Sequence, residues 1–160
     1  MIAAPAALLS APLALPVLAG TGLFAAWSDV RYRRLPNWLA GLVAASGLAA
    51  AAWYGGLTVA ASAALHAAIA FVIGVALYSR GIMGGGDIKY YTGIAAWFPM
   101  HLALRLLGSV SLAGFMLALG WLLWRRLSNR PADAQAGTDR DKLPFGVAIA
   151  AGALLAALGS

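Results

Sequence analysis

The chain has 160 residues, 62% of them hydrophobic and 10% charged, with a formal net charge of +6. Soluble domains run at roughly 45–50% apolar and roughly 25% charged residues, so this composition excludes an ordinary soluble domain, excludes disorder, and indicates an integral membrane chain. Cysteine is absent, which removes disulfides, thiolate metal sites and a cysteine nucleophile.

The first apolar stretch, Met1 to Trp27, has no Lys or Arg ahead of it. A cleaved secretory signal carries a positive n-region, so the stretch is read as a retained first span over about 8–27, with its regular helix starting near Pro12 or Leu13. A spanning helix needs about 17–25 mostly apolar residues. The second span is expected at about 38–54, bounded by Trp38 and by Trp53-Tyr54, and the third at about 58–79 after Gly55-Gly56. A glycine-rich break, Gly81 to Gly86, precedes a shorter apolar run at about 88–98 that stops at Pro99. That run suits a tilted helix, one continued through Pro99 to His101, or a re-entrant segment. The fifth span is expected at about 102–124 and the last at about 143–159, with a polar loop of about 125–142 between them. The fold class is therefore an all-α polytopic membrane bundle of about six helices, with residues 1–160 forming one domain.

Ten of the eleven basic residues fall in three loops: Arg31, Arg33 and Arg34; Arg80 and Lys89; and Arg125, Arg126, Arg130, Arg140 and Lys142. With six crossings these loops share one side. The positive-inside rule places that side in the cytoplasm and both termini outside. The basic residues do not interleave with aromatics along an exposed element, so they read as topology signals and no nucleic-acid partner is expected. Arg105 is the exception, expected to snorkel outward.

There is no glutamate, and the five acids are Asp29, Asp87, Asp133, Asp139 and Asp141. The last three lie in the polar loop as solvated charge. Asp29 stands at the end of span one and Asp87 at the start of span four. Two spans separate them, so both face the same side. Such a pair can form an aspartyl protease dyad: one ionised carboxylate takes a proton from water, and one protonated carboxyl polarises the scissile carbonyl. The bland alternative is that Asp29 pairs with Arg31 or Arg33 and Asp87 caps a helix start. Helix dipoles alone favour Asp29, at a helix C-terminus, as the protonated partner, and Asp87, at an N-terminus, as the ionised one.

Gly84-Gly85-Gly86-Asp87 is a GxGD sequence, and its glycines permit close backbone approach and positive φ. Together, Asp29-Val30-Arg31-Tyr32-Arg33-Arg34-Leu35-Pro36-Asn37 after the first span, Gly84-Gly85-Gly86-Asp87-Ile88-Lys89 in a later loop, and Lys142-Leu143-Pro144-Phe145-Gly146-Val147-Ala148-Ile149 at the last span resemble the type IV prepilin peptidase family of GxGD intramembrane aspartyl proteases. The resemblance implies that Asp29 and Asp87 are catalytic. It implies a prepilin or pseudopilin substrate, cut after a short basic leader at the cytoplasmic face of the bacterial inner membrane. Longer members carry a four-cysteine domain and N-methylate the product. This cysteine-free chain resembles the short form of tight-adherence (Flp-type) pili, for which methylation is not expected. Gly84, Gly85, Gly86, Lys89, Pro36 and Asn37 are expected to bind substrate or support the loops. Neither a cofactor nor a metal is expected, and the bilayer is the other partner.

His66 lies mid-span, where a neutral imidazole in an interhelical hydrogen bond is expected. The segment around Lys89 fails the P-loop pattern, and no Gly-x-Ser-x-Gly elbow is present. Two alternative functions are an inert membrane scaffold in a pilus or secretion assembly, and a small transporter using His66 and Arg105.

Overall fold

The structure, a computed structural model, describes residues 8–9, 12–32, 34–127 and 145–159. Its regular structure is helical: α1 (Ala14–Tyr32), α2 (Asn37–Ser79), α3 (Gly85–Ala95), a 3₁₀ turn (Met100–Leu102), α4 (Ala103–Leu127) and α5 (Phe145–Leu158). Helix α1 starts just after Pro12, and Pro16 sits in its first turn, where the missing N–H would have no helical partner. It continues five residues beyond the expected end at Trp27, so Asp29 lies inside the last turn of a helix rather than in the loop after it.

Helix α2 has 43 residues. Straight, it would be about 65 Å long, twice the roughly 30 Å of a bilayer core. It breaks at Gly56 (φ 76°, ψ 177°), a left-handed conformation that costs glycine little. The expected second and third spans are its two arms, joined at that single residue. They run antiparallel, as contacts with the chain after α3 demonstrate. Trp97 Nε1 donates to Val43 O of the first arm at 2.9 Å, while His66 Nδ1 of the second arm donates to Phe98 O at 2.7 Å. Met100 N donates to Ser62 Oγ at 3.0 Å. His66 thus forms a hydrogen bond across the bundle, but its acceptor is the carbonyl of a buried turn rather than a group on a neighbouring helix.

Helix α3 packs chiefly on α2 and fills the space between its arms. Gly93 lies against Ala40 and Val43 of the first arm, and Ile88 lies against Gly74 of the second. With 11 residues, α3 spans only about 16 Å. It ends at Ala95 and is not continued as a helix through Pro99. The chain turns, with Ala95 to Pro99 buried, and re-forms as the 3₁₀ turn. Buried Tyr90, Ile94, Trp97 and Phe98 make this segment the centre of the core, joined by Leu18, Leu39, Leu106 and Ile149. Helix α5 packs on α4 and α1. Arg105 is half-buried with its guanidinium against Gly159 at the end of α5, so it turns to a helix C-terminus instead of projecting freely outward.

Two helical segments, Asn37–Ser79 and Met100–Trp124, are long and apolar enough to cross a membrane, and Phe145–Leu158 is apolar but shorter. The outer surface carries large apolar side chains: Leu57 is 84% exposed and Leu104 is 82% exposed. A soluble monomer rarely presents contiguous apolar surface on that scale.

Small residues set the closest approaches. A Cβ on Gly152 of α5 would collide with the Val110 backbone of α4, whereas one on Gly108 meets nothing within 4 Å. Gly152→Ala is therefore expected to destabilise the purified protein by about 1–3 kcal/mol through overpacking, while Gly108→Ala leaves it unchanged or slightly stabilised. Thermal unfolding in detergent measures both. Equal midpoints for the two variants would contradict this packing.

Candidate active site

The site is assembled at one end of the bundle from the end of α1, the connector before α2, and the starts of α3 and α5. Asp29 lies in the last turn of α1 and is buried, with 8% of its surface exposed. Its Oδ2 accepts a hydrogen bond of 2.8 Å from Gly146 N, in the first turn of α5. The first N–H groups of a helix have no internal acceptor and carry the positive end of its dipole. Asp29 therefore stands at the negative end of its own helix and at the positive end of another. A Cβ on Gly146 would come within 2.9 Å of Asp29 Oδ2, so glycine is what lets the carboxylate reach that N–H.

Asp87 is the third residue of α3, whose N-cap is Gly84 in an extended conformation (φ −70°, ψ 142°) with no side-chain capping bond. The carboxyl folds back over the glycines: a Cβ on Gly84 would stand 2.9 Å from Asp87 Oδ2. Each glycine of the GxGD sequence meets a different neighbour. Gly84 faces Asp87, Gly85 faces the Tyr78 ring, and Gly86 faces Leu35. Positive φ is found at Gly56 and Gly81, not at these three positions. Side chains of this protein pack closely on the three glycines, and the positive φ expected of the motif is found one turn earlier, at Gly81.

The two carboxyls are electrostatic neighbours. Burial first, and then the Asp29 charge, push Asp87 up from its ordinary 3.8 to about 6. Packing therefore opposes the assignment that helix dipoles alone suggest. Sequence reasoning placed Asp87 at a favourable N-terminus but could not see its desolvation. It placed Asp29 at an unfavourable C-terminus but could not see the start of α5 brought against it.

The remaining expected residues gather around the pair. Lys89 Nζ donates to Asn37 Oδ1 at 3.0 Å, tying α3 to the start of α2. Pro36 is the N-cap of α2, with Leu39 N donating to its carbonyl at 3.1 Å. Pro36, Asn37, Lys89 and the three glycines thus lie in the connector before α2 and the first turns of α2 and α3. Arg31 lies over the Tyr32 ring, 5.7 Å from its centroid. Arg33, Asp133, Asp139, Asp141 and the Lys142–Pro144 part of the third motif lie outside the described residues. Three contributors escaped sequence reasoning: Gly146 as a backbone donor, Leu35 between the helix starts, and Ser28, whose Oγ donates to Arg34 O at 2.7 Å. The signal for Gly146 was a glycine just after Pro144 at a helix start, where a free N–H is available. Among the described residues, no three His or Asp side chains gather as a metal-binding group.

Asp87 holds its proton more tightly in the folded chain than in the unfolded one. Its stabilising contribution is complete below pH 3.8 and is lost as pH rises through about 6. Asp87→Asn is expected to raise the unfolding midpoint relative to the parent at pH 7, with the gain vanishing at pH 4. A gain independent of pH would contradict burial of this carboxyl.

Comparison with known proteins adds a family. Residues 16–122 match the type IV leader peptidase family, a segment holding both aspartates and ending before Gly146. Neither the curated proteins nor the solved structures compared give a match. The family match covers well over half of the 160 residues, and the chain belongs to the type IV leader peptidase family.

Proposed function

We propose that this chain is a multi-pass inner-membrane aspartyl endopeptidase that removes the short basic leader of a type IV prepilin or pseudopilin at the cytoplasmic face. Asp29 and Asp87 form the catalytic pair. The observation that carries the reading is their meeting at one end of the bundle in unlike environments. One accepts a helix-terminal N–H, and the other has its ionisation opposed by burial and by its partner's charge.

In this mechanism Asp29 is the ionised general base. The Gly146 N–H stabilises its charged form, and it takes a proton from the attacking water. Asp87 is the protonated partner, donating its proton to the scissile carbonyl oxygen as the water oxygen bonds to carbon. On collapse of the tetrahedral intermediate the C–N bond breaks, the leaving nitrogen takes the proton held by Asp29, and Asp87 recovers its own. No covalent enzyme intermediate and no cofactor are involved, and no N-methyl transfer follows. In this reading the two arms of α2 are the two crossings between Asp29 and Asp87, so both carboxyls share a side, and the basic residues beside them put that side in the cytoplasm. The apolar exterior of the helices supports a bilayer setting.

The test is cleavage of a prepilin substrate in membranes, scored by gel shift and by the mature N-terminus. Asp29→Asn and Asp87→Asn at matched expression should each lower cleavage by about 10²-fold or more, the scale of a lost acid or base, while Asp139→Asn stays active. Cleavage surviving in either of the first two would overturn the two-aspartate mechanism. In the active parent, kcat/KM should fall as pH rises through about 6, where Asp87 gives up its proton. A profile flat from pH 5 to 8 would contradict the acid role given to Asp87.

A further inference from the structure

We propose that Leu35 is a positioning residue that sets the separation of the two carboxyls by wedging apart the starts of α3 and α5. The proposal rests on the reading of Asp29 and Asp87 as the catalytic pair.

Leu35 lies in the short connector between Tyr32 at the end of α1 and Asn37 at the start of α2. Its neighbours are two glycines from distant parts of the chain. A Cβ on Gly86 would stand 3.4 Å from Leu35 Cβ, and a Cβ on Gly146 would stand 3.2 Å from Leu35 Cδ1. Each glycine is coupled directly to one aspartate. Gly86 precedes Asp87 in the first turn of α3, and Gly146 donates its N–H to Asp29. One aliphatic side chain thus touches both helix starts that hold the carboxyls, and glycine at both contacts lets it approach their backbones.

The wedge is itself anchored. Arg34 O, just before it, accepts from Ser28 Oγ, adjacent to Asp29. Asn37 Oδ1, two residues after it, accepts from Lys89 Nζ, two residues beyond Asp87. The connector is therefore held on the α1 side and on the α3 side, with Leu35 packed between the anchors. Close-packed side chains transmit displacement because they lack free volume in which to absorb it. Removing the isobutyl group while keeping both anchors leaves the helix starts free to shift and lets water reach the pair. A 1 Å misplacement of reacting groups can cost 10²-fold in rate.

The experiment uses the full-length protein in membranes with a prepilin substrate. Leu35→Ala, Leu35→Val and the near-isosteric Leu35→Met are compared with the parent, with rates normalised to folded enzyme. Leu35→Ala is expected to lower kcat by about 10-fold or more with KM changed less than about twofold. It is also expected to move the upper limb of the pH profile toward acid, because added water and a wider pair both ease ionisation of Asp87. Leu35→Val should fall between, and Leu35→Met should restore rate and limb. If Leu35→Ala does not fold, Leu35→Val carries the test through the same kcat and pH readouts. Loss of folded protein with parental kcat and an unmoved limb in the folded fraction would assign Leu35 a structural role only and overturn the proposal. Cleavage surviving in Asp29→Asn or Asp87→Asn would instead overturn the underlying dyad, so the two failures are distinct.

Discussion

The Gly146 N–H that reaches Asp29 across 117 residues of chain is the contact on which the site depends. It places the positive start of α5 against the negative end of α1, at a buried carboxyl whose own helix dipole opposes its charge. It also explains a glycine at that point in the chain, since a Cβ there would press on the oxygen that the N–H must meet. Asp87, partly desolvated and facing a like charge, is pushed up from its ordinary 3.8 to about 6.

The bundle is arranged to deliver that end of the molecule. The Gly56 reversal folds α2 into two arms, and α3 lies between them with the buried turn at Trp97 and Phe98 locking both. Because α3 is held deep in the core, its first turn is a fixed platform for Asp87 rather than a loose loop. Small residues at α2–α3 and α4–α5 contacts permit the short distances involved, in keeping with helix association driven by close packing when the surroundings are themselves apolar. His66, Trp97 and Ser28, buried among these helices, each bond to a backbone carbonyl.

Membership of the type IV leader peptidase family and this geometry reinforce each other. The family segment carries both aspartates but ends before α5, whereas the structure makes α5 part of the site. Of the third motif, Gly146 meets Asp29 through its N–H, a contact that spacing along the chain does not reveal. The connector 34–37, which looks like a proline-directed helix start, also packs Leu35 against Gly86 and Gly146 at the starts of α3 and α5.

The sequence by itself determined the apolar helical class, the break at Gly55-Gly56, the pair of aspartates and the motifs around them. These follow from local composition, from turn chemistry and from the rarity of acids in an apolar chain. It put the end of the first span near Trp27, whereas the helix runs on to Tyr32 with Ser28 and Asp29 buried in its last turns. Only the tertiary structure decided which helix start faces Asp29, that Leu35 stands between Gly86 and Gly146, that α3 stops before Pro99, and which carboxyl is raised toward neutrality. Desolvation and hydrogen bonding depend on groups distant in the chain, so spacing along one segment carries no record of them.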